Sequence, residues 1–139
     1  MQRQIHHLFT FGVLILLAAG GFAGASVNAQ AKTCPVLASL DSDHDGTLDL
    51  AEAEVAASAL FERLDTGKDN TLGGKELKGR LAARKVRSND PDHDGPLDRT
   101  EYLAIVEGRF NAADPDKDGT IDCKEVTKRA GRTLLQVLH

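Results

Sequence analysis

The chain has 139 residues, 41% hydrophobic and 27% charged, with 21 acids against 17 lysines and arginines and a formal net charge of −4. That length supports one domain at most, and no tryptophan, one tyrosine and five phenylalanines limit it to a modest core. The acidic balance argues against nucleic acid as a partner. No nucleophile–base pairing, open histidine cluster or phosphate-cradling glycine loop marks an enzyme.

Residues 1–31 open with Arg3, His6 and His7, continue as an apolar run from residue 8 to about residue 25, and close on the small-residue stretch VNAQA. This is the layout of a secretory signal peptide, cleaved after Ala29 or Ala31. Gly12, Gly20, Gly21 and Gly24 interrupt the run and set it apart from a membrane anchor. The expectation is an exported protein whose single domain is 32–139, with nothing left in the membrane. Losing Arg3 takes the formal charge from −4 to −5. Residues 32–40 then suggest a short helix, with Pro35 in its first turn and Val36, Leu37 and Leu40 as apolar contacts.

Residues 41–52 read DSDHDGTLDLAE. Acids stand at positions 1, 3, 5, 9 and 12 of this stretch (Asp41, Asp43, Asp45, Asp49, Glu52), with Gly46 at position 6 and Leu48 at position 8. Alternate positions of a tight loop turn the first three carboxylates onto one centre, and Gly46 permits the sharp turn. Thr47 offers its backbone carbonyl and Glu52 closes the shell with two oxygens. The pattern is that of a calcium-type EF-hand loop, whose ligand is a hard cation.

The loop recurs. Residues 90–101, DPDHDGPLDRTE, carry Asp90, Asp92, Asp94, Pro96, Asp98 and Glu101 at the same positions. Residues 114–125, DPDKDGTIDCKE, carry Asp114, Asp116, Asp118, Thr120, Asp122 and Glu125. Residues 65–76, DTGKDNTLGGKE, keep Asp65, Asp69, Thr71 and Glu76 but have Gly67 and Gly73 where the others have acids, and are expected to bind weakly or not at all. Eighteen of the 21 acids lie in these four loops. Charge so concentrated predicts a loose metal-free state that bound cations consolidate. His44 and His93, at position 4, are read as solvated.

Between loops 1 and 2, residues 53–64 place Ala53, Ala56, Ala57, Leu60, Phe61 and Leu64 at helical spacing. Residues 102–113 do the same between loops 3 and 4 with Leu103, Val106, Phe110 and Ala113. Residues 77–89 contain Gly79 and read as a broken helical connection. Its basic residues Lys78, Arg80, Arg84, Lys85 and Arg87 are taken as a solvated face rather than a docking patch. Val126, Ala130, Leu134 and Leu138 lie on a closing helix.

Only 12 or 13 residues separate successive loops. That leaves room for one shared helix of about 18 Å, at 1.5 Å per residue, between two loops, where conventional pairs have separate helices and a linker. Loops 1 and 2 then sit at opposite ends of one helix, and loops 3 and 4 at opposite ends of the other. If the broken connection folds back, loop 1 meets loop 4 and loop 2 meets loop 3, through Leu48, Leu72, Leu97 and Ile121 at position 8. The expected fold is therefore all-α: a compact small helical bundle with four closely spaced EF-hand loops, paired 1/4 and 2/3 by short β contacts. It brings Cys34 and Cys123 to one end. An intramolecular disulfide, an intermolecular bond and free thiols all stay open.

These features together resemble the lanmodulin family, the periplasmic lanthanide-binding proteins of methylotrophic bacteria. The shared elements are an export signal, four loops at this close spacing, Asp at loop position 9, and Pro at loop position 2 (Pro91, Pro115). Stretches such as KELKGRL from Lys75 and EYLAIVEGRF from Glu101 add to them. Ser42 and Thr66 depart from the proline pattern, and the cysteines are not expected of the family.

The resemblance implies a periplasmic protein that selects lanthanide(III) ions over Ca2+, and the three intact loops lead us to expect about three sites. Its implied partners are metal ions and a lanthanide transport or lanthanide-dependent dehydrogenase system; the expected state is a monomer or a metal-dependent dimer, the cysteines leaving room for the second. The ligating positions carry over onto the acids of loops 1, 3 and 4. The competing readings are a periplasmic calcium buffer or sensor, and a module that grips a target helix on binding calcium. One methionine and few aromatics disfavour the last.

Overall fold

A computed structural model describes residues 34–139, so the signal-peptide expectation for 1–31 lies outside the described residues. In order come β1 (Leu48–Asp49), α1 (Leu50–Leu64), β2 (Thr71–Leu72), α2 (Ala83–Arg87), β3 (Leu97–Asp98), α3 (Arg99–Ala113), β4 (Thr120–Ile121), α4 (Cys123–Val126) and α5 (Arg129–Leu135).

Both long helices start three residues before their predicted starts, for the same local reason. Asp49 and Asp98 are N-caps whose carboxylates accept the amides of Glu52 and Glu101, while those glutamates accept the cap residues' own amides. This reciprocal capping box satisfies amides that the first helical turn leaves without partners. Asp122 and Glu125 repeat it on α4. The closing helix expected over the C-terminal residues is instead two short ones, interrupted at Thr127–Lys128. Residues 35–40 form hydrogen-bonded turns rather than a continuous helix: the amides of Leu37 and Ala38 both donate to the Cys34 carbonyl, and those of Leu40 and Asp41 to the Leu37 carbonyl.

The strands pair as the spacing predicts. β1 runs antiparallel to β4 with Leu48 opposite Ile121, and β2 antiparallel to β3 with Leu72 opposite Leu97. All four position-8 side chains are completely buried, as are Ala53, Ala57, Leu77, Tyr102 and Val106. They belong to one continuous core lying between α1, α3 and the C-terminal residues Val126, Leu134, Val137 and Leu138.

Cys34 and Cys123 are joined in a disulfide, with their Cα atoms 5.4 Å apart. It ties the turn before loop 1 to the first residue of α4, across the β1–β4 pair.

Candidate metal centre

Each loop is folded by its own side chains. The Asp41 carboxylate accepts the amides of Asp45 and Gly46, at 3.2 and 2.9 Å. Asp90 does the same with Asp94 and Gly95, and Asp114 with Lys117 and Gly119. These three position-1 aspartates are buried, between 4 and 6% exposed, which is uncommon for a carboxylate unless it is held by donors or a cation. Position 6 lies in the left-handed region in all four loops, at Gly46, Asn70, Gly95 and Gly119. So does position 4, at His44, Lys68, His93 and Lys117. The second of these was not foreseen, because side chains at position 4 carry no ligand signal. At His44 the ring Nδ1 lies 3.0 Å from the Asp41 carbonyl oxygen.

The result is three triads: Asp41, Asp43 and Asp45; Asp90, Asp92 and Asp94; Asp114, Asp116 and Asp118. Within each, one oxygen per carboxylate lies within 4.8 Å of the others. An all-oxygen, all-anionic donor set of this spacing fits a hard cation with metal–oxygen distances of about 2.3–2.6 Å, and offers nothing to metals that prefer nitrogen or sulfur. The acids at positions 9 and 12 lie outside the triads, in the capping boxes. Thr47 and Thr120, at position 7, each donate both amide and hydroxyl to the position-5 aspartate. Capping was legible all along as Asp-x-x-Glu from position 9 to position 12.

Loop 2 keeps the turn without the triad. Asp65 accepts the amides of Asp69 and Asn70, at 3.2 and 3.0 Å, and Thr71 holds Asp69. Gly67 and Gly73 contribute no side chain, and Asp65 is only half-buried. What the loop does supply is β2, the partner of β3.

The electrostatics separate loop 3 from loop 1. Asp45 is held below the usual carboxylate range, first by the Thr47 hydroxyl and then by the Thr47 amide. In loop 3 position 7 is Pro96, which has neither donor. Asp94 is accordingly pushed up, by local desolvation and then by the charges of Asp92, Asp90 and Asp98. Glu101 is pushed up too, again chiefly by desolvation, against the amide bond from Asp98.

Helix-flanked acidic loops paired through short strands define an EF-hand type of metal-binding protein, and the EF hand family's sequence profile matches residues 105–127, the end of α3 and loop 4. Over 74 residues the chain is also 47% identical to lanmodulin of Methylorubrum extorquens, a stretch covering 53% of this chain and 56% of that protein. The resemblance read from the loops is thus borne out, and the chain spans about half the length of the curated relative it matches.

Proposed function

We propose that the protein binds trivalent lanthanide ions selectively, folds further as it does so, and serves lanthanide uptake or trafficking in the periplasm. The observation that carries this reading is the triads, each backed by two further acids in the same loop. Five carboxylates on one ion overcharge a divalent site, whereas attraction to a +3 ion of similar size is half as large again. The likeness to lanmodulin supports the same choice. Loops 1, 3 and 4 are the binding loops and loop 2 is the structural partner of loop 3, so three ions are expected. The protein is a binder rather than a catalyst, since 18 of its 21 acids are taken up by the four loops. Export follows from residues 1–31. Among the described residues no helix is long and apolar enough to cross a membrane.

Far-UV circular dichroism of the metal-free protein, titrated with lanthanum and separately with calcium, tests this. Helix gained at stoichiometric lanthanum, ending at three equivalents, with calcium acting only in great excess, is the expected result. Equal responses to both ions would make it a calcium buffer or sensor, the second reading that the loop pattern supports.

A further inference from the structure

The four closing glutamates are not held alike. Oε1 of Glu52 accepts two hydrogen bonds from Ser42, at 2.7 Å from its amide and 2.9 Å from its hydroxyl. Oε1 of Glu76 accepts the same two from Thr66, both at 3.1 Å. In loops 3 and 4 the residue at position 2 is Pro91 or Pro115, which has neither an N–H nor a hydroxyl to give. Oε2 is held alike in every loop, by the amide at position 9.

A carboxylate oxygen has two lone-pair sites. The Ser42 donors occupy both sites on Oε1 of Glu52, and Glu52 lies outside its triad. For Glu52 to close on an ion with both oxygens, as position 12 does in such loops, at least one Ser42 bond must break. Pro91 and Pro115 impose no such step on Glu101 and Glu125. The sheets add a second regularity. β1–β4 joins the Ser42 loop to the Pro115 loop, and β2–β3 joins the Thr66 loop to the Pro91 loop. Each pair therefore holds one latched loop and one free one.

Given the metal-binding reading above, on which this rests, we propose that the residue at loop position 2 sets the order of filling: Ser42 latches Glu52, so loop 1 takes its ion after its partner loop 4. Breaking one hydrogen bond makes loop 1 weaker by about three- to tenfold. Ser42 is a positioning residue here. It acts through Glu52.

The test follows the amides of Gly46, Gly95 and Gly119, each bonded to its loop's position-1 carboxylate, by 1H–15N NMR during titration with lanthanum chloride. Gly95 and Gly119 are expected to reach their bound shifts first and Gly46 last. Ser42→Pro should bring Gly46 into step. Ser42→Ala, which keeps the amide and removes only the hydroxyl, should move it part of the way, and Pro91→Ser should delay Gly95. If the three glycines titrate together in the unmodified protein, or Gly46 is indifferent to both Ser42 variants, the latch is overturned while metal binding stands. If no glycine amide responds to lanthanum, both readings fall.

Discussion

The rings of Phe61 and Tyr102 meet edge to face, with centroids 5.7 Å apart and planes inclined at 63°. Phe61 is near the end of α1 and Tyr102 near the start of α3, so the contact fixes the two long helices side by side in opposite directions. Arg99 reinforces it, with its guanidinium 4.9 Å over the Phe61 ring and 3.2 Å from Glu62. The Tyr102 hydroxyl then donates to the Val137 carbonyl at 3.0 Å, carrying the contact into the C-terminal segment. Burial pushes that phenol up to about 12, so it stays a donor throughout the working pH range.

Tyr102→Phe should therefore destabilise the protein by about 1–2 kcal/mol, because the buried Val137 carbonyl loses its hydroxyl donor. Phe61→Ala should cost about 3–5 kcal/mol through the cavity it leaves. Urea unfolding followed by circular dichroism measures both. A Tyr102→Phe variant as stable as the parent would show that water replaces the hydroxyl.

The disulfide closes 89 residues of chain. Its loss, by reduction or as the Cys34→Ser, Cys123→Ser double variant, should lower stability by about 2–4 kcal/mol, chiefly by freeing the unfolded chain. The loss should weaken the β1–β4 end more than the β2–β3 end. Hydrogen exchange at Leu48 and Ile121 against Leu72 and Leu97 would show whether it does.

Gly131 allows α5 to lie against α4: a Cβ there would run into the Glu125 carbonyl and the Val126 backbone. Gly131→Ala should cost about 1–3 kcal/mol. It should also loosen loop 4, because Glu125 is the residue displaced. A later bound shift for Gly119 in the lanthanum titration, with Gly95 unchanged, is the expected signature.

The pH dependence of the metal-free protein has two signs. Asp94 and Glu101 are raised on folding, so their contribution is unfavourable above the raised values and is relieved as pH falls towards the ordinary carboxylate range. Asp45 and Glu76 are lowered, Glu76 mainly by the Gly73 amide, so their support is present above that range and is lost as pH falls through the lowered values. Thermal midpoints in chelator should rise slightly on mild acidification and then drop. Pro96→Thr, which gives Asp94 the donors that Asp45 has, should remove much of the rise.

Loop identity, spacing and pairing were legible in the sequence because their determinants are local. Twelve-residue patterns place the acids, and 12 or 13 residues between loops allow only one helix. Position-8 residues such as Leu48 and Ile121 must then bury each other. The helix starts are written in the same residues, since Asp49 and Glu52 form a cap as well as a candidate ligand pair. The split of the C-terminal helix is a different matter. There Gly131 lets α5 seat against the end of α4, a contact that no periodicity records.

The sequence by itself determined how many loops there are, which of them carry five acids, and that loop 2 cannot hold a triad, since these depend only on residue type and spacing. Only the tertiary structure decided that Cys34 reaches Cys123, that Glu52 is bonded to Ser42, and that Tyr102 donates to the Val137 carbonyl. Those facts rest on distances between residues ten to 89 positions apart in the chain, which no local pattern of residue types records.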